Sequence, residues 1–153
     1  MPSAKSKAIN CFGLLARDNR FHFKTTTSNI TSSFIFEYLE QLSFTLKKMT
    51  VVVLDNASVH TAKLIQDRRH VWEQRGLTLF YLPKHSPQLN IIEILWRMLK
   101  YLWLKPSDYA DEQTLFYQVT LALAAVGSSL SINFSNFAVR NTSRGRRVIA
   151  KLE

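Results

Sequence analysis

Four apolar residues, Val-Val-Val-Leu at 51–54, constrain the fold more than any other stretch of this 153-residue chain. An uninterrupted run of β-branched and aliphatic residues is typical of a strand buried on both faces of a parallel or mixed sheet. The run ends at Asp55, so this carboxylate is expected at the carboxyl end of the strand, where open α/β sheets place their ligand sites. The alternative is a structural role, in which Asp55 caps the turn that begins at Asn56.

A second strand-like run, Leu-Thr-Leu-Phe-Tyr-Leu at 77–82, ends at Pro83. From Asn90 the apolar residues recur at helical spacing, at Ile92, Leu95, Trp96, Leu99 and Trp103. Glu93 then lies in the first turn of a helix, where the helix dipole favours an anion and a structural role is an alternative. If the two strands are neighbours, Asp55 and Glu93 share one rim of the sheet and can converge on a cation.

Two motifs, Val-Val-Val-Leu-Asp-Asn-Ala-Ser-Val-His at 51–60 and Leu-Pro-Lys-His-Ser-Pro-Gln-Leu-Asn-Ile-Ile-Glu at 82–93, carry a family resemblance. They resemble the catalytic domain of mariner-like insertion-sequence transposases of the DDE superfamily. The resemblance implies an α/β fold, a ribonuclease H-like mixed sheet flanked by helices. It places Asp55 at the second catalytic carboxylate and Glu93 at the third, and it extends more weakly over 8–134. His85 stands where the family usually has Tyr, a change that we expect to be tolerated.

The first catalytic Asp of that family lies on the first, central strand of the sheet, and no counterpart is found here. Asp18 lies in a polar turn, whereas Glu37 and Glu40 lie on a helical pattern, so none resembles a strand-end ligand. We therefore expect the central first strand to be absent, or replaced by residues near the N-terminus. In the family, three carboxylates hold two Mg²⁺ ions about 4 Å apart, with Mn²⁺ as a substitute. Two carboxylates alone predict weak metal binding.

Two functional hypotheses follow from the resemblance. In the first, the chain is a transposase fragment for metal-dependent DNA strand cleavage and transfer during transposition of an insertion sequence, incomplete without an upstream part. The alternative is a non-catalytic DNA-binding or assembly remnant of a transposase. The expected partners are DNA at transposon ends and target, an upstream transposase fragment, and further copies of the same chain.

The overall charge agrees with a DNA partner. A net charge of +9 and a pI near 9.9 predict a polyanionic partner, although charge alone does not separate nucleic acid from an acidic protein or a membrane surface. No apolar stretch approaches the roughly 20 residues of a membrane span. Cys11 is the only cysteine, so it is expected to be a buried, small apolar residue in a reducing compartment. We expect a cytoplasmic, nucleoid-associated protein.

Several basic and polar side chains are candidates for contacts with DNA or for support of the site. The predicted DNA contacts are Lys84, His60, Arg97, Lys100, Arg144, Arg146 and Arg147. Arg97 and Lys100 are equally consistent with solvated charge on a helix, and His60 with a structural role. Asn56 is expected to help position the site, with a turn or N-cap role as the alternative, and Asn90 is expected to be a simple turn or N-cap residue. Tryptophans 72, 96 and 103 are expected in the core.

The rest of the chain predicts one domain, residues 1–135, and a basic tail, residues 136–153. Strands are expected at 8–16 and 21–27, joined by a turn at Asp18 and Asn19. A helix is expected after polar capping residues at 29–33, and another from 60 to 74, which Gly76 ends. A long helix is expected from Asp111 to about residue 130, followed by irregular chain.

Overall fold

The computed structural model describes residues 8–136 and 147–151, and the strands and helices below belong to those ranges. The strands are β1 (Asn10–Leu15), β2 (Phe21–Thr26), β3 (Thr50–Leu54), β4 (Leu77–Tyr81) and β5 (Arg147–Lys151). The α-helices are α1 (Ser32–Thr45), α2 (Ser58–Thr61), α3 (Lys63–Gln74), α4 (Ile92–Met98) and α5 (Glu112–Ala124). A π-helical turn at Leu99–Trp103 extends α4, and 3₁₀ turns lie at Pro87–Leu89, Pro106–Tyr109 and Phe134–Asn136.

These strands form one mixed sheet with the order β2-β1-β5-β3-β4. β1 is antiparallel to β2 and β5, whereas β3 is parallel to β4 and β5. The α/β class expected from the sequence is therefore confirmed, and the finer ribonuclease H-like arrangement stays a prediction. No helix within the described residues is long and apolar enough to cross a membrane.

Helices cover both faces of the sheet, and alternate residues of β3 point into two separate cores. Val52 and Leu54 pack with Trp72 of α3 on the face covered by α1 and α3. Val53 packs with Leu95 on the face covered by α4 and α5. Because both faces of β3 are buried, its sequence does not alternate between apolar and polar residues. The packing on both sides also fixes the position of Asp55, which follows Leu54 at the end of the strand.

Local signals in the first half of the chain are confirmed. β1 and β2 are joined by a tight turn in which Asn19 adopts a positive φ of 65°. The Thr31 hydroxyl accepts a hydrogen bond from the N–H of Phe34 and so caps α1. Gly76, with a φ of 92°, ends α3 in a conformation that side chains rarely adopt. Burial raises the pKa of the Cys11 thiol to about 12, as expected for a buried cysteine that packs as an apolar residue.

The C-terminal part differs from the sequence prediction in two ways. α5 is shorter than expected because it ends at Ala124, before a turn in which Gly127 adopts a φ of 88°. The expectation of irregular chain after Ser131 is wrong for β5, which lies in the middle of the sheet. There, Val148 pairs with Leu15 on one side and with Val53 on the other. The middle of this sheet is therefore occupied by residues from the C-terminal part of the chain, not by residues near the N-terminus.

Candidate functional site

A cavity of about 280 Å³ lies at the carboxyl ends of β3 and β4. Because these strands are parallel and Leu54 pairs with Tyr81, the loops that follow them leave the sheet at the same edge. The beginning of α4 closes the third side. The lining residues are Asp55, Asn56, Ala57, Pro83, Lys84, His85, Ser86, Pro87, Asn90 and Glu93. The structure therefore brings Asp55 and Glu93 into one cavity, together with Asn56, Asn90 and Lys84.

Asp55 caps a turn and also faces the cavity. The backbone N–H of Ala57 donates to its Oδ1 at 3.2 Å, so the side chain does cap the turn after β3. His60 Nδ1 lies 2.5 Å from the same oxygen. The Asp55 side chain also remains 34% exposed and lines the cavity, so turn capping does not remove it from the site.

Glu93 is partly buried in the first turn of α4. Burial raises its pKa, and the negative charge of Asp55 raises it further, while the positive charges of Lys100 and Arg97 act in the opposite direction. The two carboxylates are therefore close enough to repel each other in a partly desolvated space. A divalent cation between them would relieve that repulsion, which makes this cavity a candidate metal site.

The two asparagines lie at the cavity, and of the two roles expected for Asn90, turn residue or N-cap, the structure shows a turn residue and not the N-cap. α4 begins one residue later than expected, with Ile91 at the N-cap position. Asn90 is buried, and its backbone carbonyl accepts the N–H of Glu93 at 3.1 Å. It therefore anchors the segment that carries Glu93. Asn56 directly follows Asp55 in the lining, where its supporting role stays a prediction.

The predicted DNA-contacting residues fall into three groups. Lys84, Arg97 and Lys100 are exposed, and Lys84 also lines the cavity. His60 is fully buried, so the expected contact between its side chain and a DNA phosphate is wrong in this structure. Three arginines of the tail give no information about DNA contacts. Arg144 and Arg146 lie outside the described residues, and Arg147 is the first residue of β5, with only its backbone described.

Sequence reasoning missed the residues that support the site from behind. Tyr81, the last residue of β4, donates its hydroxyl hydrogen to the backbone carbonyl of His60 at 2.5 Å. Gln66 of α3 in turn donates to the Tyr81 hydroxyl at 2.8 Å. The sequence did contain a signal for Tyr81, since a tyrosine at the end of a buried strand usually forms a hydrogen bond through its hydroxyl group. The tryptophans, by contrast, are in or against the core as predicted.

The donor atoms at this cavity fit a hard divalent cation in part. Carboxylate and amide oxygens are the ligands that Mg²⁺ and Mn²⁺ prefer. Among the described residues, however, no three His, Cys, Asp or Glu side chains form a group that could hold a metal ion. A larger cavity, of about 680 Å³, lies at the opposite end of β3. The lining residues described there include Arg20, His22, Lys47 and Lys48 and no carboxylate, so it does not compete as a metal site.

Most of the chain matches the model of a known protein family. Residues 1–116 of the 153 match the family model of DDE superfamily endonucleases. The matched range contains both Asp55 and Glu93 and ends within α5, so β5 lies beyond it. No curated protein matches the chain.

Proposed function

Because the chain belongs to the DDE superfamily of endonucleases, we propose that it is a transposase fragment of the mariner-like insertion-sequence type, acting in metal-dependent DNA strand cleavage and transfer. One observation carries this proposal. Asp55 and Glu93, which the sequence resemblance assigns to the second and third catalytic carboxylates, line the same cavity and interact electrostatically.

Asp55 and Glu93 would hold Mg²⁺ or Mn²⁺ in this cavity. The chemistry that such an ion supplies when bound is activation of a water or a DNA 3′-hydroxyl and stabilisation of the leaving oxygen. The chain itself positions the two residues: the Ala57 N–H holds the Asp55 carboxylate, and the backbone N–H of Glu93 donates to the Asn90 carbonyl at the start of α4. Lys84 at the cavity, with Arg97 and Lys100 one and two turns after Glu93, offers positive charge to the DNA phosphates.

The same geometry supports catalytic incompleteness of the isolated chain. The position in the centre of the sheet, beside β3, is held by Arg-Val-Ile-Ala-Lys at 147–151, which contains no carboxylate. A two-metal site loses both ion positioning and charge stabilisation when one carboxylate is missing. We therefore infer that the missing carboxylate is supplied from outside these 153 residues, for example by an upstream transposase fragment.

A non-catalytic DNA-binding or assembly remnant is the second candidate. The same carboxylate-free central strand favours it, since a chain that kept its fold and lost its chemistry would have this composition. Both candidates predict association with DNA at transposon ends and target, a cytoplasmic location near the nucleoid, and assembly with further transposase chains. They differ in whether the active site can be completed.

Nicking of supercoiled plasmid DNA in the presence of Mn²⁺ tests the two candidates. The chain alone is expected to be inactive. Addition of the upstream transposase segment is expected to produce nicking of transposon-end DNA that Glu93→Gln abolishes, because this change removes the charge and keeps the shape. Nicking by the chain alone that is lost in Asp55→Asn would refute the inferred incompleteness. No nicking in the reconstituted system would favour the remnant.

A further inference from the structure

His60 is buried directly behind Asp55. It belongs to the short helix α2, and its side chain has no exposed surface. Its Nδ1 atom lies 2.5 Å from Oδ1 and 3.2 Å from the backbone carbonyl oxygen of Asp55. Both neighbours are acceptors, so Nδ1 carries the hydrogen and donates it. Within the described residues, the buried Nε2 atom has no hydrogen-bond partner. The polar contacts of this imidazole therefore go to Asp55.

The backbone and the ring of His60 are both held by neighbouring residues. The Tyr81 hydroxyl donates to the His60 carbonyl, and Gln66 donates to Tyr81, so α2 is tied to β4 and α3. The ring of Phe12 meets the imidazole edge-on, with ring centroids 6.3 Å apart. Because His60 is held in place in this way, it can in turn hold the Asp55 carboxylate in one orientation.

We propose that His60 is a positioning residue, which holds the Asp55 carboxylate in the orientation that a metal ligand needs. This inference rests on the function proposed above. The N–H of Ala57, the N-cap residue of α2, reaches Oδ1 only at 3.2 Å, whereas the side chain of His60 in that helix approaches the same oxygen to 2.5 Å. Two donors on Oδ1 restrict the rotation of the carboxylate. Loss of a hydrogen-bond partner behind a metal ligand typically weakens metal affinity by about 10- to 100-fold.

A purely structural role for His60 makes a different prediction, and two amide variants separate the two. The amide nitrogen of Asn replaces Nδ1 of histidine in position, whereas that of Gln replaces Nε2. His60→Asn therefore keeps a donor facing Asp55, and His60→Gln moves it to the side where His60 has no partner among the described residues. Gln is closer to histidine in volume, so a residue that merely fills the core would tolerate Gln better than Asn.

Titration of the purified chain with Mn²⁺, followed by electron paramagnetic resonance, measures the effect without requiring activity. We expect His60→Asn to stay within about threefold of the wild-type affinity and His60→Gln to lose about 10- to 100-fold. Urea unfolding of each variant verifies that it is folded. Equal affinities in both variants and the wild type, with binding lost in Asp55→Ala, would overturn the positioning role alone. Wild-type binding that is absent or independent of Asp55 would overturn the proposed metal site and this inference together.

The tautomer of His60 gives a second, metal-independent measurement. Long-range ¹H–¹⁵N correlation spectra of the wild-type chain are expected to show the hydrogen on Nδ1 of His60. Asp55→Ala should change the signal of that hydrogen. A neutral imidazole with its hydrogen on Nε2 would overturn the proposal whatever the metal affinities are.

Discussion

Removal of β5 should unfold this domain, because among the described strands β5 alone joins the two halves of the sheet. In the strand order β2-β1-β5-β3-β4, the β1–β2 hairpin and the β3–β4 pair both border β5 and not each other. β5 forms four residue pairs with β1 and two with β3. At about one backbone hydrogen bond per pair and about 1 kcal/mol net for each bond, the loss is roughly 6 kcal/mol. A domain of this size has a total stability of about 5–15 kcal/mol.

The test compares a chain that ends at residue 146, and so lacks β5, with a matched control that ends at Lys151 and keeps it. Urea unfolding is followed by far-ultraviolet circular dichroism and by tryptophan fluorescence. Trp72 and Trp96 are buried on opposite faces of the sheet, so their fluorescence reports both cores. We expect a cooperative transition for the control and none for the shorter chain.

A single substitution repeats the experiment with less disturbance. Val148 pairs with both neighbouring strands, and proline there removes an N–H from the centre of the sheet. Val148→Pro should therefore lower the unfolding free energy by several kcal/mol, whereas Val148→Ala, which keeps the N–H, should retain a cooperative transition. An unfolding free energy of the chain ending at residue 146 within about 1 kcal/mol of the control would refute the role assigned to β5.

Three further predictions concern individual charges. The pKa of Glu93 is raised from its usual 4.5, so its contribution to stability is present at low pH and is lost as the pH rises through the raised pKa. Glu93→Gln should therefore stabilise the chain at pH 7 but not at about pH 3.5, as measured by urea unfolding. The pKa of Glu40 is shifted in the opposite direction. It is lowered to about 2, and the largest cause is the hydrogen bond from Arg68. Glu40→Gln should cost about 2 kcal/mol at pH 7, and the cost should shrink as the pH falls from about 4.5 towards 2. On duplex DNA, Arg97→Ala and Lys100→Ala should each reduce the slope of log affinity against log salt by about 0.9 if they contact phosphate, and an unchanged slope would assign them to solvated helix surface.

The parts of the fold that could be predicted are those in which local pattern and tertiary environment agree. The apolar run at 51–54 is β3, and the glycine at 76 ends α3. β5 could not be predicted in the same way, since its place depends on pairing with strands more than 90 positions away. Its neighbours in the sequence are rich in arginine, which favoured an exposed tail. Local composition contains no information about which strand fills the centre of a sheet.

Part of the candidate site could likewise be predicted from the sequence. Asp55 and Glu93 follow from the ends of two regular elements, and the structure places them at one cavity. For His60 the sequence left a DNA-phosphate contact and a structural role open, since no Cys or second His stands at metal-ligand spacing from it. Its burial results from a four-residue helix that folds back behind β3, and neither helical nor strand periodicity can be read from so few residues.

The two carboxylates are coupled to the fold in opposite ways, and this decides which of them is the better probe of chemistry. Asp55 accepts hydrogen bonds from Ala57 and His60, so its removal loosens the turn after β3 as well as the site. Loss of activity in Asp55→Ala would therefore mix a structural and a chemical effect. The charge of Glu93 is opposed by burial and by Asp55, so Glu93→Gln removes a ligand while relieving an unfavourable charge. A variant that gains stability and loses metal binding separates function from folding, because damage to the fold cannot produce both results.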